Sequence, residues 1–261
     1  MGEAEENLAR ICKRFASVVE KHEPYPTTFE RTRDPFRVLV RAVTFQQLSG
    51  KAAATIHGRL LALFEDKEHP DPADFLAIDD TKLRGAGLSR QKIAAIRDIS
   101  QKRIDGVIPE AKALHKLSDD EIIERLTAAR GVGRWTVEMY LMFTLGRPDV
   151  LPVDDLGVRK GAEKLYRRSF TPKELAAYGE RWAPHRSAAA WHLWRIADTL
   201  TPDRSPVKKA KAKAANKTPK AKKKARKPRS HSGDAKRHPE PSGKRRPRRS
   251  LGSGSRSARP E

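Results

Sequence analysis

Residues 128–143 read AARGVGRWTVEMYLMF, and this stretch is the most informative about the fold. A helical run precedes it, SDDEIIERLTAA, and its own second half, WTVEMYLMF, is another. Gly131 and Gly133 permit a tight turn between the two runs. The stretch therefore predicts a helix, a hairpin and a second helix. The unpaired N–H groups that begin the second helix suit a phosphate, although a simple corner between two helices would use the same residues.

Helical signals also dominate the rest of residues 1–202. Apolar residues recur about one turn apart, as in Ile93, Ile96 and Ile99, and strict alternation is scarce. Short polar residues stand before most of these runs, where they can cap a helix. The candidate caps are Asp34, Ser49, Asp71, Asp79, Ser89, Ser118 and Thr171. We predict an all-α fold of about ten helices, the last over residues 187–200.

The positive charge of the chain is concentrated in its last 59 residues. Residues 203–261 hold 22 Lys plus Arg against 4 Asp plus Glu, whereas the whole chain has 55 against 33. The segment contains no aromatic residue, so it cannot bury enough surface to offset the entropy of ordering. We predict two regions, an all-α domain over 1–202 and a disordered basic tail over 203–261. The tail would bind a polyanion by counterion release, or it is a solubilising extension.

The chain lacks the marks of secretion, of membrane insertion and of a cysteine framework. Cys12 is the single cysteine, which excludes a disulfide framework and a cysteine-ligated zinc or iron–sulfur cluster within this chain. The acidic start MGEAEENLAR has no apolar secretion signal, and no apolar run approaches the ~18 residues of a membrane span. We expect a cytoplasmic, nucleoid-associated protein of bacterial type.

An aspartate pair follows the hairpin at an interval of about twenty residues, in LPVDDLGVRKG at 151–161. Asp154 and Asp155 come after Pro152, where a new helix begins. One of them is expected to cap that helix, and both could be caps alone. Adjacent side chains usually point apart, so the two are not expected to act as a paired acid and base. One carboxylate is then free for chemistry.

Helix, hairpin, helix and then Pro-Val-Asp at this interval resemble the helix-hairpin-helix DNA glycosylase superfamily, and more narrowly its 3-methyladenine-DNA glycosylase II branch. Three further segments share the resemblance, which covers residues 30–200. They are AVTFQQLSGKAAATI at 42–56, LRGAGLSRQKIAAIRDIS at 83–100 and HRSAAAWHLWRIA at 185–197. The resemblance implies a fold of two lobes.

The resemblance also implies roles for individual residues. It makes Asp155 the catalytic carboxylate, because the family aspartate directly precedes the Leu-Gly-Val-Arg run, and it leaves Asp154 to support the loop or to cap the helix. Residues of the hairpin, the wedge that fills the gap of a flipped base and one helix start would contact DNA. They are Gly131, Gly133, Thr136, Arg134, Gln47, Leu48, Arg90 and Lys92. Arg90 and Lys92 are read from their place after the Gly85 and Gly87 turn, and the solvated start of a helix would explain them as well. A structural monovalent cation, Na or K, would be held by backbone carbonyls of Thr127, Ala129 and Val132; no other cofactor is implied.

Trp135 stands where bifunctional relatives carry a lysine that attacks the sugar. An indole cannot do so, which implies a monofunctional enzyme with water as nucleophile. Trp135, Trp194 and Met139 would line the base pocket, the two tryptophans sandwiching a cationic methylated purine. The ordinary alternative is that tryptophans are core residues, as expected for Trp182 and Trp191. Met139 replaces a pocket tyrosine and leaves the substrate range open.

The function implied is base excision repair. A monomer would bind double-stranded DNA, flip an alkylated purine such as 3-methyladenine into the pocket and hydrolyse the N-glycosidic bond, leaving an abasic site. One alternative is a glycosylase of the same fold acting on deaminated or mismatched bases. A second is a non-catalytic DNA-binding protein, which would have no need for a carboxylate facing DNA.

Overall fold

The structure, a computed structural model, describes residues 2–31, 33–64, 67 and 69–198. This part of the chain folds into thirteen α-helices and contains no strand. The helices are α1 (Glu3–Ile11), α2 (Lys13–Val19), α3 (Pro35–Phe45), α4 (Gly50–Leu61), α5 (Pro72–Ala77), α6 (Asp80–Gly85), α7 (Arg90–Ile104), α8 (Ala111–Leu114), α9 (Asp119–Thr127), α10 (Arg134–Tyr140), α11 (Leu156–Tyr166), α12 (Pro172–Gly179) and α13 (Arg186–Asp198). A π-helical turn, Leu141–Leu145, continues α10, and a 3-10 turn, Glu180–Trp182, follows α12.

Side-chain caps begin the helices where the sequence predicts them. The Asp34 carboxylate accepts a hydrogen bond from the Phe36 N–H at 3.2 Å. Ser118 and Glu121 exchange bonds in a capping box at the start of α9, with the Ser118 N–H donating to Oε2 at 2.7 Å. Such caps satisfy the first N–H groups of a helix, which have no partner within it. The all-α prediction is therefore confirmed.

The described residues form more helices than the predicted ten, because a run with continuous helical periodicity can be divided into two shorter helices. Leu8, Cys12 and Phe15 lie at helical spacing, yet Cys12 is extended (φ −142°, ψ 111°) and separates α1 from α2. This break lets both Leu8 and Phe15 become fully buried. Packing against the rest of the chain therefore overrides local periodicity at this position.

The helices form two groups joined at the predicted site. In the first group α3 packs on α4 and α7, α5 and α6 pack on α7, and α9 precedes α10 through the hairpin. In the second group α11 packs on α13, and α13 also contacts α1, α2 and the 3-10 turn. The first two helices of the chain therefore join the last ones, and the middle helices form the other lobe. Asp155 lies at the start of α11, where the chain passes between the groups.

A very close approach of α11 and α13 depends on a glycine. A Cβ atom on Gly161 would lie 2.0 Å from the carbonyl oxygen of Leu193, well inside van der Waals contact. Because the obstacle is backbone, no side-chain rotation can relieve the overlap. The two helices would have to separate, and this pair carries the start of α11 and therefore Asp155.

Gly161→Ala is expected to lower the free energy of unfolding by about 1–3 kcal/mol, the usual effect of overpacking a core. Gly58→Ala in α4 is the matched control, because a Cβ atom there meets nothing within 4 Å. That control should gain about 0.5–1 kcal/mol from alanine's helix propensity. Urea unfolding measures both variants, and an equal gain at Gly161 would show that the helices are not in such close contact.

The predicted boundary after residue 202 and the predicted disordered tail lie outside the described residues, as do the last two residues of the predicted helix 187–200. In the part of the chain that the structure describes, no helix is both long and apolar enough to cross a membrane.

Candidate active site

The glycine hairpin between α9 and α10 has the predicted form. Gly131 has φ +76°, a backbone region that favours glycine, and a Cβ atom there would also lie 3.2 Å from the Cβ of Ala95. Val132 is buried and anchors the turn. At Gly133, which begins α10, a Cβ atom would meet nothing within 4 Å. The start of α10 is therefore open on the side where a phosphate would approach.

Asp155 is held by three N–H donors. Its Oδ1 accepts from the Val158 N–H at 2.8 Å and from Trp194 Nε1 at 2.7 Å, and its Oδ2 accepts from Trp135 Nε1 at 2.8 Å. The first bond makes Asp155 the N-cap of α11, whereas Asp154 is exposed. Two residues expected as base-stacking faces thus also fix the orientation of the predicted catalytic carboxylate.

This arrangement corrects the part of the sequence interpretation that divided the aspartate pair into one catalytic and one capping residue. Asp155 caps the helix itself, because its backbone lies at the N-cap and Oδ1 reaches the Val158 N–H. A carboxylate has lone pairs for both tasks. The role of cap and a role in chemistry are therefore compatible in one side chain.

Gly157 makes room for this cluster within the first turn of α11. A Cβ atom there would lie 2.7 Å from Cδ1 of Trp194 and 3.1 Å from Oδ1 of Asp155. The absence of a side chain at this one position lets the indole of α13 approach the carboxylate from the helix side. The spacing Asp-Leu-Gly of residues 155–157 is thus a steric requirement of the site.

A cavity of about 600 Å³ lies between α3 and α10. The α10 wall contains Trp135 and Met139, as predicted, followed by Phe143, and the α3 wall contains Arg41 and Phe45. Trp135 remains 48% exposed, an uncommon state for a large aromatic side chain. The lining is mainly apolar with a few polar groups, which is the usual composition of a small-molecule site.

Phe143 belongs to this pocket, although the sequence interpretation did not single it out. The π-helical turn Leu141–Leu145 leaves Phe143 37% exposed, and its ring lies 5.9 Å from that of Trp194. π-helical turns often occur at functional sites. The prediction that a base is sandwiched between Trp135 and Trp194 needs correction. Phe143 lines the pocket, whereas Trp194 contacts the ring of Phe143 and donates to Asp155.

Among the expected core tryptophans, Trp182 is buried and Trp191 is half-buried.

The predicted wedge lies on the turn between α3 and α4. Gln47 is exposed with φ +57°, which is unusual for a residue other than glycine, and Leu48 is 40% exposed. The side chain of Gln46 donates to the Gly131 carbonyl at 2.8 Å and so ties this turn to the hairpin. Strained, exposed backbone held by its surroundings is typical of functional sites.

Lys92 supports the wedge turn from within the protein. Its Nζ donates to the carbonyls of Thr44 at 2.7 Å and Gln46 at 2.8 Å, and burial lowers the pKa of this amine. The structure corrects the expectation that Lys92 contacts a DNA phosphate, because its ammonium is hydrogen-bonded to the two carbonyls at the end of α3. Arg90 at the first position of α7 is exposed and stays a candidate.

Two other predicted DNA contacts have partners within the protein. Arg134 donates to the buried Glu138 carboxylate at 3.0 Å, yet its side chain stays 56% exposed. Burial raises the pKa of Glu138, and the Arg134 guanidinium opposes that shift. The Thr136 N–H donates to the Gly133 carbonyl at 2.9 Å, which leaves its hydroxyl for a ligand.

The carbonyls expected to bind a monovalent cation lie at the end of α9. Thr127 is its last residue, and the Ala129 carbonyl accepts from the Val132 N–H at 3.1 Å with a lone pair to spare. The C-terminal end of a helix is its negative pole, so the donor set fits a cation. No group of three His, Cys, Asp or Glu residues suited to a metal occurs in the described residues.

Comparisons with known proteins identify the family of the chain. A model of the HhH-GPD superfamily of base excision DNA repair proteins matches residues 40–185. The chain is similar to DNA-3-methyladenine glycosylase 1 of Schizosaccharomyces pombe, with 38% identity over 197 residues, 74% of this chain and 86% of that protein.

Two solved structures are similar as well. The 3-methyladenine DNA glycosylase of S. pombe in complex with abasic DNA matches with a TM-score of 0.66 at 37% identity, over 74% of this chain and 96% of the other. The DNA-3-methyladenine glycosidase of Bacillus halodurans matches with a TM-score of 0.68 at 34% identity, over 76% and 91%. The family match includes the hairpin and Asp155, whereas Trp194 follows it in the chain.

Proposed function

The chain belongs to the HhH-GPD superfamily of base excision DNA repair proteins, and from this premise we propose that it is a DNA glycosylase that removes alkylated purines. The substrate class is a purine such as 3-methyladenine in duplex DNA, and the product is an abasic site. One observation carries the proposal: the Asp155 carboxylate, oriented by the indoles of Trp135 and Trp194, lies beside an aromatic cavity.

Base recognition follows from the aromatic wall of that cavity. A flipped purine can stack on Trp135 and Phe143, both of which line the pocket and stay partly exposed. A purine methylated at N3 or N7 carries a positive charge, which the negative face of an indole attracts by about 0.5–2 kcal/mol. Flipping costs a few kcal/mol, and less at a damaged pair. Damage therefore favours entry into the pocket.

Hydrolysis follows from the position of Asp155. When the bond between the sugar C1′ and the base nitrogen breaks, its electron pair leaves with the base and the sugar becomes oxocarbenium-like. The carboxylate stabilises that positive charge and orients a water molecule, whose oxygen bonds to C1′ while its proton passes to the carboxylate or to solvent. Trp135 supplies no amine for a covalent intermediate. The enzyme is therefore monofunctional.

Docking on DNA uses the groups that remain open around the pocket. Gly131, Gly133 and the hydroxyl of Thr136 bind a backbone phosphate at the hairpin, with Arg134 and Arg90 as further phosphate contacts. Gln47 and Leu48 fill the space left by the flipped base. Carbonyls of Thr127, Ala129 and Val132 hold a structural monovalent cation. The protein acts as a monomer in the cytoplasm, on the bacterial nucleoid.

The experiment that tests this function is a profile of the bases released from duplexes that each contain one altered base. We expect free 3-methyladenine and 7-methylguanine to be released faster than uracil or a mismatched thymine. Faster release of deaminated or mismatched bases would identify the rival glycosylase of the same fold. Tight binding with no release of any base would identify a non-catalytic DNA-binding protein.

Removing residues 203–261 is expected to weaken non-specific duplex binding and its dependence on salt. The segment carries 22 Lys plus Arg, and each phosphate neutralised adds about 0.9 to the slope of log affinity against log salt. Anisotropy titrations at several salt concentrations measure the slope, which should fall by about 3 or more. Base release at saturating protein should not change. An unchanged slope would indicate a solubilising extension instead.

A further inference from the structure

The charge around the base pocket is one-sided. The charged residues among those that line it in the described part of the chain are Arg33 and Arg41, and no carboxylate is among them. Asp155 is not among the lining residues, but its Oδ2 accepts from Nε1 of Trp135, which does line the pocket. A base in the pocket therefore meets guanidinium groups on the α3 side and, on the α10 side, the indole that is bonded to Asp155.

The guanidinium of Arg41 is held in place by stacking. Its Cζ lies 3.9 Å from the centroid of the Phe45 ring, and both residues line the pocket. No carboxylate of the described residues forms an ion pair with Arg41. Arg33 differs, since it pairs with Glu30 at 3.4 Å. Contact with the face of the Phe45 ring uses none of the N–H donors of Arg41, which is exposed.

The positive field of Arg41 acts on its neighbours. Burial lowers the pKa of His57, and Arg41 and Arg33 lower it further. The His57 ring contacts Phe45 edge to face, with its centroid 6.0 Å from that of Phe45. The charge on Arg41 is therefore not neutralised locally by the described residues, and a ligand in the pocket would experience it.

A guanidinium in this place has opposite effects on two kinds of modified purine. A neutral 6-oxopurine such as hypoxanthine offers the acceptors O6 and N7, which an arginine can bind with two parallel N–H donors. A 7-methylpurine has lost the N7 acceptor and carries positive charge, so the same group repels it. Resting on the proposed glycosylase function, we propose that Arg41 extends the substrate range of the pocket to neutral 6-oxopurines, which it binds, without aiding the cationic purines that the indole attracts.

The test compares two duplexes, one with hypoxanthine, which is neutral, and one with 7-methylguanine, which is cationic. Single-turnover release at saturating protein is measured for the unaltered protein and for Arg41→Leu, Arg41→Lys and Arg37→Leu. Arg37 is the matched control, because it lies one turn earlier on α3 and lines the neighbouring cavity, which Arg41 also borders, but not the base pocket. Arg41→Lys keeps the charge but loses the planar fork of donors.

For Arg41→Leu we expect hypoxanthine release to fall about tenfold, the usual discrimination of one bidentate contact, while 7-methylguanine release stays constant or rises. Arg41→Lys should slow hypoxanthine release without any gain for 7-methylguanine. Arg37→Leu should leave the ratio of the two rates unchanged.

Equal losses on both duplexes in Arg41→Leu would overturn the inference, because a contact to DNA phosphate or a disturbed fold affects both substrates alike. An unchanged ratio would overturn it too, and so would release of 7-methylguanine without measurable release of hypoxanthine by the unaltered protein. If the unaltered protein releases no base at all, the proposed glycosylase function itself fails. The two failures are therefore distinguishable.

Discussion

Replacing Asp155 by Asn is expected to slow the single-turnover release of 7-methylguanine by about 100- to 1,000-fold, the usual loss when one charge-stabilising group is removed from an active site. The amide is neutral, so it cannot stabilise the oxocarbenium-like sugar or take a proton from water. Affinity for the duplex should not fall, because the change removes a negative charge near phosphate. The measurement is chromatography of the free base after quenching.

The structure also predicts a modest change in stability for Asp155→Asn. The amide oxygen of the introduced side chain can still accept from the Val158 N–H, but its NH2 group would face the Trp135 N–H, so one donor loses its acceptor. Such a loss costs about 1–3 kcal/mol. Asp154→Asn is the matched control, since the exposed neighbour should keep full activity. If Asp155→Asn releases 7-methylguanine at a rate within about tenfold of the unaltered protein, Asp155 is not the catalytic carboxylate.

Gly157→Ala is expected to slow base release by about 100-fold, since a displacement of 1 Å in an active site can have that effect. The added methyl group would lie 2.7 Å from Cδ1 of Trp194 and 3.1 Å from Oδ1 of Asp155. The indole must move, and its bond to the carboxylate is then lost. The fold should survive, because the obstacle is a side chain and not backbone.

Gly58→Ala separates the effect of the site from the effect of alanine in a helix. Both glycines lie in helices, but the space around Gly58 is open. The control should retain its rate and gain about 0.5–1 kcal/mol of stability. A rate for Gly157→Ala equal to that of the control would show that Trp194 does not position the carboxylate.

The helices and the hairpin were predictable because their signals are local. Asp34 before Pro35 and Ser118 with Glu121 define helix starts by their own hydrogen bonds. The left-handed turn at Gly131 is likewise a property of one residue. The break at Cys12 was not predictable, since it arises from the packing of α1 and α2 against distant helices.

The sequence predicted residues that the structure brings together at the candidate site, but it did not predict their contacts. Family position assigns Trp135 and Trp194 to stack on a base, whereas their N–H groups meet on Asp155 across 20 and 39 residues of sequence. Lys92, predicted to contact DNA, is bound to two carbonyls at the end of α3. Such bonds depend on how separate helices pack, which spacing along one helix does not indicate.

Phe143 is the pocket residue that sequence reasoning missed. The run EMYLMF at 138–143 is apolar on more than one face of a helix. Such a pattern indicates that side chains on more than one face pack against other groups instead of facing water. The π-helical turn, however, is what leaves Phe143 at the surface of the pocket. A regular α-helical count gives no indication of that turn.

The most direct test of the central claim is the product of one turnover on a labelled duplex with a single 7-methylguanine. The proposed chemistry predicts free 7-methylguanine and an abasic strand that stays intact until alkali cleaves it, because Trp135 offers no amine to form a Schiff base. Strand cleavage without alkali, with a covalent adduct trapped by borohydride, would contradict a water-mediated release. Bound DNA with no free base would contradict glycosylase activity on this substrate.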